Sequence, residues 1–202
     1  VKQHLRGDEH IVFDGMPTGY LLQDFWAWHS SDLLNNTLRG SFCEFIVSAA
    51  LGVDLSGTND DWGAYDVEFP FQWNDGVSDN NVVKIEVKSS AYLQAWEQSK
   101  LSSIQFSIRP TKAWTPQAGY DSETKRQSDV YVFCLYTETD RTKADPLTLD
   151  GWDFYVVPTS KLDALCGSQK SLSLPGLIAL DPIKTDYSGI REAVIASVQS
   201  CA

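Results

Sequence analysis

Val82-Val83-Lys84-Ile85-Glu86-Val87-Lys88 alternates apolar and charged residues, the period of two that a half-buried strand imposes. Val83, Ile85 and Val87 share one face; Val82, Lys84, Glu86 and Lys88 share the other. The stretch just upstream, Ala64-Tyr65-Asp66-Val67-Glu68-Phe69, alternates in the same way. Tyr65, Val67 and Phe69 lie on one side, with Ala64, Asp66 and Glu68 on the other. Between the two runs, Asn74-Asp75-Gly76 and Asp79-Asn80-Asn81 are turn chemistry. Two such strands side by side make one apolar surface, and their other faces bring Asp66, Glu86 and Lys88 together. Two carboxylates and an amine on a rigid sheet are a constellation able to hold a divalent metal and position a water.

Working outward, the first strand is expected from Trp62 to Phe69 and the second from Val82 to Lys88. Before them, Leu21, Leu22, Phe25, Trp26, Trp28, His29 and Leu33 recur at helical spacing, predicting a helix over Tyr20 to Leu34 that ends at Asn35-Asn36. A second helix is expected from Arg39 to Leu51, with Phe42, Cys43, Ile46, Val47 and Ala50 as its apolar stripe and Gly52 as its C-cap. Glu44 lies on the border of that stripe.

After the charged strand, Tyr92 to Lys100 reads as a short helix, Ile104 to Ile108 as a strand, and Pro110 to Gln127 as a long loop. Asp129 to Tyr136 contains the near-continuous apolar run Val130-Tyr131-Val132-Phe133-Cys134-Leu135, the signature of a central strand covered on both faces. Trp152 to Val157 is a further strand stopped by Pro158. Thr159 is placed to cap a helix over Ser160 to Leu165. Ile190, Val194, Ile195 and Val198 recur at helical spacing in the segment Tyr187 to Val198. The order predicts a single α/β domain over residues 1–202 with a mixed central sheet flanked by helices.

The 202 residues are 43% hydrophobic and 21% charged, enough to bury a core. No apolar run approaches the roughly 18 residues a membrane span needs. The polar start, Val1 to Glu9, has no signal-peptide core, so a soluble cytoplasmic protein is expected. Cys43, Cys134, Cys166 and Cys201 are far apart, without a Cys-x-x-Cys pair. Cys43 and Cys134 fall in apolar patterns and are expected to be buried free thiols, and His4, His10 and His29 offer no zinc-ligand spacing.

The net charge of −11 runs against a nucleic-acid partner, which favours a basic footprint. Its distribution is uneven. Residues 81–126 hold Lys84, Lys88, Lys100, Arg109, Lys112, Lys125 and Arg126 against Glu86, Glu97, Asp121 and Glu123, so the region carrying the constellation is the least acidic.

A helix bearing Glu44, a strand bearing Asp66 and a strand bearing Glu86-Val87-Lys88 resemble the PD-(D/E)XK nuclease superfamily. The blocks Asn36-Thr37-Leu38-Arg39-Gly40, Asp61-Trp62-Gly63-Ala64-Tyr65-Asp66 and Glu86-Val87-Lys88-Ser89-Ser90 are similar to uncharacterised bacterial members. Tyr65 stands where the pattern has proline. The resemblance covers roughly residues 38–158 and implies a restriction endonuclease-like fold and cleavage of DNA phosphodiesters with Mg²⁺, Mn²⁺ substituting. It implies Asp66, Glu86, the Val87 carbonyl and Glu44 as metal ligands, and Lys88 orienting or helping to deprotonate the attacking water. Glu68, on the Asp66 face, is a reserve ligand. Gln94 and Gln98 fall where the superfamily has polar residues near the scissile phosphate.

Lys100, Arg109, Lys112, Lys125 and Arg126 are candidate phosphate contacts. Trp96 and Trp114 are candidates for base stacking, and Arg39 for a cap or a carboxylate partner near the site. A homodimer would allow both strands to be cut. Two other readings stay open. The acidic balance also suits a catalytically inactive nuclease-fold interaction module or an acidic DNA mimic. The 12% aromatic content suits a carbohydrate-active protein, although Lys88 has no part in paired-carboxylate glycoside chemistry.

Overall fold

The computed structural model describes residues 4–59, 63–72, 82–115 and 119–200, the side chains of Trp114 and Thr115 excepted. The chain opens on a hairpin, β1 (His10–Phe13) and β2 (Met16–Leu21), which runs directly into helix α1 (Leu22–Ser30). The Asp24 carboxylate accepts from the Leu21 N–H at 2.7 Å, satisfying one of the donors a helix start leaves open. The helix is shorter than the predicted Tyr20 to Leu34. Tyr20 and Leu21 belong to β2, and Asp32 turns the chain by accepting from the Leu34 and Asn35 N–H groups. No residue of the hairpin or of α1 is buried. The aromatic periodicity there reflects local ring contacts: Phe25 stacks on His29 with centroids 5.5 Å apart and lies 6.4 Å from Trp28.

Helix α2 (Asn36–Leu51) starts a turn before the expected Arg39. Asn35 acts as its N-cap, accepting from the Thr37 and Leu38 N–H groups. At the other end Gly52 takes the left-handed conformation, φ 73°, and returns its N–H to Ala49 and Ser48. Next come β3 (Val67–Pro70) and β4 (Val82–Ala91). The predicted first strand began at Trp62; that residue and the turn over 73–81 lie outside the described residues, and 63–66 are bends.

The predicted helix over Tyr92 to Lys100 is absent. Long-range polar contacts hold this loop instead. Gln98 accepts from the Gln94 N–H at 2.7 Å and donates to the Ser102 hydroxyl at 3.0 Å. Arg141 donates to the carbonyls of Gln94 and Trp96, each at 2.8 Å. The short strand β5 (Gln105–Ser107) follows, then a two-residue ribbon, β6 (Trp114–Thr115) with β7 (Gly119–Tyr120), inside the expected long loop.

The rest comprises β8 (Val130–Tyr136), β9 (Trp152–Pro158), α3 (Thr159–Cys166), β10 (Ser171–Ser173), α4 (Leu174–Ala179), β11 (Ile183–Thr185) and α5 (Ile190–Gln199). Thr159 is the first residue of α3, not its cap. Pro158 holds the cap position and supplies no side-chain cap hydrogen bond.

The central sheet has the order β11-β9-β8-β4-β3 and is mixed: β4 and β8 are parallel, the other pairs antiparallel. All seven residues of β8 are buried, because layers cover both faces. On one face, Cys43, Ile46, Val47 and Leu51 of α2 and Ile190, Val194 and Val198 of α5 pack on Val83, Ile85, Val87, Val130 and Val132. On the other, Phe106, Leu162, Leu172 and Leu177 pack on Tyr131, Phe133, Tyr155 and Val157. Each such side chain contributes about 1.5–3 kcal/mol on burial. Cys43 and Cys134 are unbridged and fully buried within the first layer, and burial pushes the Cys134 thiol up. No helix among the described residues is long and apolar enough to cross a membrane.

Candidate active site

β3 and β4 are antiparallel neighbours, with Val67 opposite Ile85, Glu68 opposite Lys84 and Phe69 opposite Val83. Val67 and Phe69 are buried while Glu68 is exposed, so the apolar faces of both strands turn to the α2 side. Glu86 lies opposite Tyr131 and Lys88 opposite Phe133 across the β4–β8 ladder, on the other side of the sheet.

The ladder between β3 and β4 ends where the charged residues begin. The Asp66 N–H donates to the Ile85 carbonyl at 3.0 Å. Beyond that bond Asp66 supplies a side chain in place of a backbone partner, its Oδ2 accepting from the Val87 N–H at 2.7 Å. The Val87 N–H thus points toward the β3 edge, and its carbonyl shares that direction, since both groups of a strand residue face one neighbour. Asp66, the Val87 backbone and the Glu86 and Lys88 side chains gather where the β3–β4 ladder ends.

Lys88 binds both carboxylates: Nζ is 2.5 Å from Glu86 Oε1 and 3.6 Å from Asp66 Oδ2. The three side chains are 26%, 19% and 23% exposed for Lys88, Glu86 and Asp66, so the ion pairs are partly shielded from water. Burial opposes the Lys88 ammonium, but Asp66 and Glu86 together outweigh it and hold its pKa above the usual lysine value. The Glu86 carboxyl is pushed up, chiefly by burial. Lys88 pulls against this, while the negative charges of Asp66 and Glu44 add to it. The cluster therefore carries more negative charge than Lys88 neutralises.

Glu44, on α2, accepts from Asn59 Nδ2 at 3.0 Å, and its effect on Glu86 places it in the same electrostatic neighbourhood. Glu68 accepts from the Tyr65 hydroxyl. The phenol pKa is raised to about 12 by burial and by that carboxylate. Among the described residues no three His, Cys, Asp or Glu side chains converge as a ligand set. The donors are two carboxylates and a main-chain carbonyl, all hard oxygen. That suits Mg²⁺, which keeps several waters and binds through one or two carboxylates. The excess negative charge around Glu86 also favours a cation.

The remaining candidates are scattered. Arg126 is 6% exposed and braces the fold: Nε donates to the Ile108 carbonyl at 3.0 Å, Nη2 to the Gln169 carbonyl at 3.2 Å, and Nη1 pairs with Asp163 at 2.5 Å. Its nitrogens are engaged, which withdraws it as a phosphate contact. Lys100, Arg109 and Lys112 are exposed. Lys125 is exposed and paired with Glu123 at 3.0 Å. Gln98 holds the loop over 92–102. The Trp114 side chain lies outside the described residues.

Arg39 is buried and has no carboxylate partner among the described residues: Nη1 donates to the Leu34 carbonyl at 3.0 Å and Nη2 to Asn36 Oδ1 at 2.7 Å. With Gln94, Trp96, Ser89 and Ser90 it lines a cavity of ≈ 330 Å³ at the end of β4. Sequence reasoning weighed Arg39, Gln94 and Trp96 separately. The consecutive serines after Lys88 were the available sign that the strand ends in polar surroundings.

No protein-family model, no curated protein and no solved structure matches this chain.

Proposed function

We propose that the chain is a Mg²⁺-dependent nuclease of the PD-(D/E)XK type, hydrolysing DNA phosphodiester bonds at Asp66, Glu86 and Lys88. The observation that carries the reading is the convergence of these three side chains where the β3–β4 ladder ends, with Asp66 anchored on the Val87 N–H and Lys88 shared between the carboxylates. The mixed sheet, with a Glu44-bearing helix packed on it before the Asp66 and Glu86 strands, is compatible with the restriction endonuclease-like fold.

In this reading Asp66, Glu86 and the Val87 carbonyl hold the ion, and Glu44 holds a second ion or orders water at the site. Bound there, Mg²⁺ supplies positive charge for the phosphoryl oxygens and activates a water. Asp66 is positioned by its hydrogen bond to Val87, so its second oxygen keeps a defined direction. Lys88 acts as an ammonium: held cationic by its two carboxylate neighbours, it orients the water and donates to the oxygen on which charge builds. Residues 81–126, which carry Glu86 and Lys88, are the least acidic part of the sequence, which lessens the repulsion of an anionic strand there. Cutting both strands would use a homodimer.

The test is purified protein with Mg²⁺ or Mn²⁺ on supercoiled, nicked and branched DNA, beside Asp66→Ala. Cleavage should require the metal and fall by about 100-fold or more in the variant. Equal cleavage by both proteins would assign the activity to a contaminant. No cleavage by either, together with no metal binding, would favour an inactive interaction module or an acidic DNA mimic, the alternative that the net charge of −11 supports.

A further inference from the structure

We propose that the hairpin β1–β2 and helix α1 are the surface through which two copies of this chain associate as a dimer. Local chemistry builds the hairpin. Asp14 and Gly15 both take positive φ, 48° and 74°, the two-residue turn that suits the twist of paired strands. Phe13 then stands opposite Met16 and Val12 opposite Pro17, and the Thr18 hydroxyl donates to the Ile11 carbonyl at 2.8 Å across the pair. The Glu9 and Gly7 carbonyls accept from the Leu22 and Gln23 N–H groups, each at 2.9 Å, which ties the start of α1 to the segment before β1.

What this unit lacks is cover. Neighbouring residues of a strand point to opposite faces. Val12 is 56% exposed and Phe13 78%, so the hairpin is bare on both faces. Its sheet has two strands, which leaves the outer edge of each without a ladder among the described residues. Helix α1 buries no residue, and Trp28 is 82% exposed. A two-stranded hairpin by itself is marginal in water and is stabilised by further strands or by a helix on its face. A second copy supplies both: its hairpin extends the sheet and its α1 lays aromatic rings on a face. The same elements serve on each side, as a two-fold contact requires.

The exposed area is of the size a dimer needs. Val12, Phe13, Met16, Tyr20, Phe25 and Trp28 are between 45% and 82% exposed. A whole aromatic side chain buries about 150–250 Å², so the exposed parts of these six come to roughly 700 Å². That exceeds the roughly 300–600 Å² of the largest apolar patch on a typical monomer. It approaches the area of about 800 Å² that each partner contributes to a stable interface.

Charge narrows the choice of partner. From Gly7 to Leu38 the sequence has no Lys or Arg, against Asp8, Glu9, Asp14, Asp24 and Asp32. The segment offers no cation to a nucleic-acid backbone or an anionic lipid headgroup. Three of the acids are engaged locally: Glu9 accepts from the Arg6 and Gly7 N–H groups, Asp24 from that of Leu21 and Asp32 from that of Leu34. The contact is therefore apolar. Each copy carries −11, so added salt strengthens the dimer by screening their repulsion. The assignment goes beyond the nuclease reading and does not rest on it.

Sedimentation velocity on the full chain in EDTA tests this. A reversible dimer should form with a dissociation constant of roughly 10 μM or tighter, and it should tighten between about 50 and 500 mM NaCl. Phe13→Ser and Trp28→Ser should each weaken it about thirtyfold, as loss of an aromatic anchor does. Both residues are exposed in the single chain, so the variants should fold, and circular dichroism verifies it. Leu165→Ser, at an exposed apolar residue of α3, is the control and should leave the dimer unchanged. Hydrogen exchange of the β1 and β2 amides should slow as the chain concentration rises through the dissociation constant.

A chain that stays monomeric up to about 100 μM would overturn the proposal. Binding of that monomer to neutral phosphatidylcholine vesicles would then place a lipid surface on the hairpin instead. A dimer unchanged in both folded Phe13→Ser and folded Trp28→Ser would overturn the assignment of the face. So would equal weakening by Leu165→Ser, or exchange at β1 and β2 that ignores concentration. Growth into assemblies larger than a dimer would overturn the two-fold contact. No DNA or metal is present, so none of these outcomes depends on cleavage, and failure of the nuclease reading is read separately.

Discussion

Replacing Lys88 by Met removes one charge from the centre of the cluster while keeping a long apolar stem. The ammonium lies 2.5 Å from Glu86 Oε1 and 3.6 Å from Asp66 Oδ2. At an effective dielectric constant of about 20 these contacts amount to about 7 and 5 kcal/mol of gross attraction. Most of that is offset by the cost of taking the charges out of water. Breaking a fully buried pair costs about 3–5 kcal/mol net. The side chains here retain a fifth to a quarter of their exposure, so screening brings the expected loss to about 2–3 kcal/mol.

The loss is specific: it leaves two carboxylates facing each other, a site hungry for a cation. Urea denaturation at neutral pH in EDTA should show Lys88→Met less stable by that amount, with an unchanged dependence on urea. Roughly 10 mM Mg²⁺ should then stabilise the variant by at least about 1 kcal/mol more than it stabilises the wild type, since binding to the folded state alone raises stability. A destabilisation below about 0.5 kcal/mol would mean the pair is merely a solvated surface contact. A full-sized loss insensitive to Mg²⁺ would mean the two carboxylates do not hold a cation.

Three further outcomes are expected. Asn35→Ala removes the cap of α2 and should cost about 1 kcal/mol, read by thermal or urea denaturation. Phe133→Ala opens a cavity where a fully buried ring meets Phe106 edge-on at 5.1 Å, and should cost about 3–5 kcal/mol in the same assay. Asp186 accepts from the Ser188 hydroxyl and from the Ser188 and Gly189 N–H groups, and these bonds, led by the hydroxyl, hold its pKa below the usual 3.8. A lowered folded-state pKa contributes stability above the unfolded value and loses it as pH falls through the folded one. The advantage of wild type over Asp186→Ala should therefore hold at pH 5 and disappear in acid below that range, followed by denaturation across pH.

Where partners lie close in sequence or repeat regularly, the amino-acid order was readable. The alternation over Val82 to Lys88 predicted the faces of β4, the apolar run Val130 to Leu135 predicted a strand covered on both sides, and Gly52 predicted the end of α2. Asp66 and Glu86 could be paired because a turn between two alternating strands implies an antiparallel register. The loop over 92–102 could not be read, because Arg141 fastens it from across the fold. Nor could the burial of Arg126, whose partners Ile108, Asp163 and Gln169 come from separate segments. Helical spacing over Tyr20 to Leu34 predicted a helix, but not that α1 would carry no buried residue, since periodicity reports a stripe and not what covers it. The cavity at Arg39 and Gln94 depends on α2, the end of β4 and the following loop meeting, and no local pattern encodes that meeting.

The proposed function requires a divalent ion at β4, held between Asp66, Glu86 and the Val87 carbonyl. A crystal soaked in Mn²⁺, with its anomalous signal mapped, tests this most directly. The expected result is a peak within about 2.0–2.3 Å of an Asp66 oxygen, a Glu86 oxygen and the Val87 carbonyl oxygen, with Lys88 displaced from at least one carboxylate. A crystal with no anomalous peak there, and with Lys88 still bridging Asp66 and Glu86, would contradict it.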